Sequence, residues 1–126
     1  MANSLIDRIK SASKIKETEV YSDSKMLDLE VITTDVPAMN IAFSGDIDGG
    51  YTAGITTWAS PSKHFKTLFS LMQARAYLDN PPEAMMMFFD SASGSPQSYF
   101  TSQGIGTGRV VHIPIKNIEE LKFEMM

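Results

Sequence analysis

Cysteine is absent from the 126-residue chain, which excludes disulfides and thiolate metal sites. Positive charge is scarce too: Lys and Arg number 11 against 15 Asp and Glu, a formal net charge of −4 with no dense basic block. Phosphate affinity in nucleic-acid binding comes largely from Lys and Arg, so this stretch by itself is a poor candidate for gripping DNA or RNA. A nucleotide is a different matter, because a single loop can hold one. No apolar run is long enough to cross a bilayer. The first ten residues, MANSLIDRIK, lack the uninterrupted apolar centre of a signal peptide. A cytoplasmic protein with no membrane partner is the expectation. What is present is ordinary globular composition, 43% hydrophobic and 21% charged.

Leu5, Ile6, Ile9, Ala12 and Ile15 fall on one face at helical spacing. Ser4 is placed to cap that helix, with Asp7 favouring its positive end. A polar linker follows from Lys16 to Ser24, then Leu27, Leu29 and Val31 alternate with polar residues as a half-buried strand does. Residues 1–35 thus read as a helix–strand arm with too little apolar surface for a core of its own. Residues 36–126 carry the main pattern. Pro37 opens a short helix that Gly45 ends. In the turn-rich loop after it, Asp46 and Asp48 hint at a calcium site, but Thr57 stands where the terminal glutamate is needed.

Ile55–Ala59 is strand-like, a loop follows, and residues 68–78 read as a helix stopped by Asn80-Pro81-Pro82. Met85–Phe89 is an apolar run of the kind buried on both faces of a sheet. Ser95–Ser102 is helical with Pro96 in its first turn, Val110–Ile113 is a strand, and Asn117 with Glu120 makes a capping box for a last helix. This alternation implies an α/β fold with a mostly parallel sheet.

The loop between the first of these strands and its helix reads Ser60-Pro61-Ser62-Lys63-His64-Phe65-Lys66-Thr67. It aligns with the phosphate-binding pattern G-x-x-x-x-G-K-[ST], or Walker A, in which backbone amides cradle phosphates, the lysine adds charge and the hydroxyl meets Mg²⁺. The strand–loop–helix setting agrees. Both glycines are missing, and a glycine matters where a Cβ obstructs the backbone. The alternative is a plain strand-to-helix turn with Lys63 and Lys66 solvated.

SPSKHFKT, together with FFDS at residues 88–91, SPQSYF at 95–100, RVVHIPIKNIEEL at 109–121 and MNIAFSGDIDGG at 39–50, resembles the bacteriophage UvsX recombinases of the RecA family. That family carries G-P-S-K-x-F-K-[ST], so Phe65 is normal for it. The resemblance implies a truncated RecA-like P-loop NTPase core with an N-terminal helix–strand oligomerisation arm. It implies ATP and Mg²⁺ as ligands. Ser60, Pro61, Ser62, Lys63, His64 and Phe65 would form the loop, Lys66 would meet phosphate, Thr67 would coordinate Mg²⁺, and Tyr99 would pack on the adenine. It also implies a phage protein in the host cytoplasm, forming a homo-oligomer or joining a recombinase filament. Single-stranded DNA would be bound only in a full-length context, where the family promotes DNA recombination and repair.

Three departures qualify the resemblance. Ser60 replaces the one glycine that the family keeps in this loop. Ala92 stands where the family has the glutamate that activates water, and loss of a general base costs about 10²- to 10⁴-fold; no catalytic residue remains, so hydrolysis should be impaired. The chain also lacks counterparts of the later strands and of the DNA-binding loops. An interaction protein that self-associates or caps filaments through its N-terminal arm is therefore the competing expectation. No G-x-S-x-G elbow is present, and His64 and His112 lack ligand spacing.

Overall fold

A computed structural model describes residues 2–126, apart from the side chains of residues 2–4 and 27. Two compact units are present, one ending at Glu30 and one running from Val31 to Met126.

In the first unit the amphipathic spacing produces helix α1 (Ala2–Ala12). It starts before Ser4, so that residue lies inside the helix and not at its cap, and its side chain is outside the described residues. Ser13 N closes the last turn on Ile9 O at 3.1 Å. Ile15 falls in the turn beyond the helix, so the apolar face is shorter than the spacing implied. Two 3-10 turns follow, Tyr21–Asp23 and Lys25–Leu27. The strand expected from Leu27 to Val31 does not form. Alternation alone does not make a strand without a partner, and the nearest pairing is a single antiparallel bridge, Ile32 to Tyr51, in the second unit.

That bridge opens the second unit. Gly50 lies so close to it that a Cβ would collide with the Ile32 carbonyl. Helix α2 (Pro37–Ser44) has Pro at its first turn and ends on Gly45, which takes the left-handed φ of 78° that a C-cap favours. Buried Asn40 ties the helix to its surroundings: its Oδ1 accepts from Thr34 N at 2.9 Å and its Nδ2 donates to Ile47 O at 3.1 Å.

Residues 55–59 were expected to form a strand, and they do not. Among the described residues no neighbouring strand supplies a ladder, and Ile55 is 99% exposed. Side chains hold the segment instead. Trp58 Nε1 donates to Gln73 Oε1 at 3.1 Å, and Gln73 Nε2 donates to Thr56 Oγ1 at 3.0 Å. Trp58 also stacks on Phe69 at 5.4 Å between centroids. Tyr51 Oη donates to the carbonyl of the same Gln73 at 2.7 Å.

Helix α3 (Lys66–Asp79) contributes Leu71 and Leu78 to the core. With Ala84, Phe100 and Ile105 these make one cluster, against which Met86, Phe88 and Val110 pack. Strand β1 (Met86–Asp90) runs parallel to β2 (Val110–Pro114), with Met86 beside Val110 and Asp90 beside Pro114. The short helix α4 (Gln97–Ser102) links them, and Pro96 serves as its N-cap rather than lying in its first turn. Burial of β1 on both faces does not hold: Met87 is 55% exposed while Met86 and Phe88 turn to the core. Helix α5 (Ile118–Glu124) closes the chain. Among the described residues, no helix is long and apolar enough to cross a membrane.

Candidate functional site

The loop before α3 bends in an unusual way. Lys63 (φ 63°) and Phe65 (φ 57°) both adopt left-handed backbone angles, which among the described non-glycine residues only Ser93 shares. A Cβ makes this region cost about 1–2 kcal/mol per residue. Phe65 is the position where the phosphate-loop pattern has its second glycine, so the backbone keeps the glycine conformation after the glycine is gone. Ser60, at the first glycine position, is not among the positive-φ residues. Its hydroxyl instead donates to Pro61 O at 3.2 Å and lies 3.4 Å from Lys66 Nζ.

Phe65 is also the N-cap of α3, and no side chain caps that end. The first bond of the helix runs from Phe69 N to Phe65 O, so the amides of Lys66, Thr67 and Leu68 have no acceptor within the helix. Lys66 curls back over the loop, its Nζ donating to Ser60 O and Pro61 O, each at 2.9 Å. His64 Nδ1 is 2.8 Å from Ser62 O. A carbonyl can only accept, so Nδ1 carries the proton. These bonds hold an exposed loop in one shape with its cation at the centre.

Next to the loop is a cavity of about 470 Å³, within the ~300–1,000 Å³ range of small-molecule sites. Lys63 through Leu68 line one side; Leu71, Tyr99 and Ser102 complete it. The fold therefore brings Tyr99, more than thirty positions away, to the same space as Lys66 and Thr67. Ser60, Pro61 and Ser62 do not line it. Leu71 and Ser102 were not singled out from sequence. Helical spacing held the signal: Leu71 is one turn after Thr67, and Ser102 one turn after Tyr99.

Ala92 lies in the bend after β1. Its amide and that of Ser93 donate to Asp90 Oδ1, at 2.9 and 2.8 Å, while Asp90 Oδ2 is 3.5 Å from His112 Nε2. The Ala92 amide is the largest influence holding the Asp90 carboxyl below its usual range; the Ser93 amide and His112 add to it, and burial opposes. Asp90 is thus a structural clasp for this bend. Ala92 offers a methyl group and no proton acceptor. Among the described residues no group of three or more His, Cys, Asp or Glu could hold a metal.

No family model matches the chain. Among curated proteins, it is similar to a recombination and repair protein. That relative belongs to Enterobacteria phage T4 and is 37% identical over 123 residues, covering 97% of this chain and 32% of the relative. The chain thus spans about a third of the length of the curated relative it matches.

Proposed function

We propose that the chain is the ATP-binding segment of a RecA-like, UvsX-type recombination and repair protein, with impaired hydrolysis of its own. The similarity to the phage T4 protein supports the recombination class. The observation that carries nucleotide binding is the conjunction at α3: an uncapped helix start, a glycine-like φ at Phe65, and Lys66 among the residues lining a cavity that Tyr99 also lines. A helix N-terminus with free amides and a nearby lysine favours phosphate.

The donor set fits the ligand. Lys66 Nζ already bonds two loop oxygens, Ser60 O and Pro61 O, and phosphate oxygens can replace those acceptors. The Thr67 hydroxyl is the group for Mg²⁺, and the Tyr99 ring the platform for a base. Bound ATP with Mg²⁺ supplies the triphosphate on which the family's active arrangement depends. Ala92 leaves the water without a base, so turnover by this chain is very slow. Contact with single-stranded DNA belongs to a longer protein context.

Calorimetric titration of the full chain with Mg²⁺ and ATP tests the reading, with Lys66→Ala as control. Heat of binding in the parent that Lys66→Ala abolishes is expected. A folded parent that takes up no ATP would contradict it.

A second reading has its own observation. Leu5 and Ile9 of α1 are 60% and 58% exposed, an apolar face suited to docking on another protomer. On that reading the chain self-associates or caps a recombinase filament. Sedimentation with and without Leu5→Asp/Ile9→Asp discriminates: loss of association in the variant supports it, and unchanged behaviour removes it.

A further inference from the structure

The entry to the phosphate-like loop is fastened to the same helix that receives its exit. Phe69 and Gln73 are one turn apart on α3 and so share a face. The half-buried indole of Trp58 spans both. Its ring stacks on Phe69 at 5.4 Å between centroids and 19° between planes, and its Nε1 donates to Gln73 Oε1 at 3.1 Å. Gln73 uses the other end of its amide as well, Nε2 donating to Thr56 Oγ1 at 3.0 Å, while its main-chain carbonyl accepts from Tyr51 Oη. Phe43 of α2 meets the indole edge-on at 5.8 Å. Trp58, Phe69 and Gln73 do not line the cavity beside the loop.

Two ties therefore join the loop entry to α3. One is this clamp. The other is Lys66, whose Nζ donates to Ser60 O and Pro61 O, two and three positions after Trp58. The two differ in their fate when a phosphate arrives. A cation that turns to phosphate oxygens gives up the loop carbonyls, whereas an indole and a neutral amide carry no charge for phosphate to attract. Holding a loop in its bound shape in advance lowers the ordering cost of binding.

We infer that Gln73, acting through Trp58, is a positioning residue for the loop: it holds the loop entry on α3 once Lys66 transfers from the loop carbonyls to a triphosphate. The inference rests on the nucleotide reading above for its ligand, and on the clamp itself for its mechanics. Redundancy follows. Without nucleotide, either tie keeps the loop in shape, and loss of both releases it. With nucleotide, Lys66 is engaged elsewhere, so loss of the clamp weakens binding.

The test uses the full chain as parent, Gln73→Ala, Gln73→Glu, Lys66→Ala and Lys66→Ala/Gln73→Ala. Gln73→Glu keeps an acceptor for Trp58 Nε1. NMR order parameters at the amides of Lys63, His64 and Phe65 are measured without nucleotide, followed by calorimetric titration with Mg²⁺ and ATP. The expected order parameters are about 0.85 in the parent and each single variant, and below about 0.6 in the paired variant. Rigid amides along α3 in every variant show that the helix itself is intact. Gln73→Ala should bind ATP about three- to tenfold more weakly, the range that one hydrogen bond spans, and Gln73→Glu should stay within about twofold of the parent.

A paired variant whose loop stays rigid overturns the inference. So does Gln73→Ala that binds ATP as tightly as a binding-competent parent, a result that leaves the nucleotide reading standing. If Gln73→Ala disorders the helix, both comparisons move to Trp58→Phe, which removes the same N–H and leaves α3 unchanged. A folded parent that takes up no ATP removes the nucleotide reading and the ligand half of the inference with it, while the paired variant still decides the clamp.

Discussion

Helices α3 and α5 begin in opposite ways. At α5, Asn117 Oδ1 accepts from Glu120 N at 2.8 Å, while Glu120 Oε2 accepts from Lys116 N at 2.7 Å. The helix start is satisfied by its own side chains. At α3 no side chain caps the first turn, Phe65 holds a left-handed angle, and the local cation folds onto carbonyls of its own loop. One start is built for stability alone. The other accepts strain and leaves amides without acceptors, a combination that concentrates at binding sites.

The contrast rests on α3 being fixed from below. Leu71 is 1% exposed in the core and also lines the cavity. Leu71→Ala should destabilise the chain by about 2–5 kcal/mol, the largest effect expected here, read as a lower midpoint in urea unfolding. A small loss would mean that the cavity wall and the core are separate.

The next largest effect is at the satisfied helix start. Asn117→Ala should cost about 1 kcal/mol and Asn117→Gly only a few tenths. At the other helix start the sign depends on backbone angle. Phe65→Gly should be more stable than Phe65→Ala by about 1 kcal/mol, because only glycine takes a positive φ without a clash. Equal midpoints for the two Phe65 variants would show that the loop is not strained.

The smallest effect is a pH slope. The folded Asp90 carboxyl titrates below its unfolded value, which for Asp is about 3.9. Its contribution is therefore complete above that value and disappears as pH falls through the lower, folded one. Thermal midpoints between pH 5 and pH 3 should fall less steeply for Asp90→Asn than for the parent.

Much of this was legible in sequence, for identifiable reasons. Pro37 and Gly45 marked both ends of α2, Asn80-Pro81-Pro82 stopped α3, and Asn117 with Glu120 announced α5, because each acts through local chemistry. Strands were harder. Residues 110–113 found a partner in β1, whereas residues 27–31 and 55–59 carried strand-like patterns with nothing to pair with. Pairing is non-local, and no pattern within a segment reveals it. Loop residues 60–67 were recognisable by Lys66 and Thr67, but the glycine-like angle at Phe65 was hidden by a side chain that argues against it. The nearness of Tyr99 to Lys66 is likewise a product of how α4 packs beside α3.

The most direct test of the contrast between the two helix starts is an amide-resolved NMR titration of the full chain with ATP and Mg²⁺. The account predicts saturable shifts at the amides of Lys66, Thr67 and Leu68, with those of Glu119 and Glu120 unmoved. Shifts absent from α3, or equal at both helix starts, would contradict it.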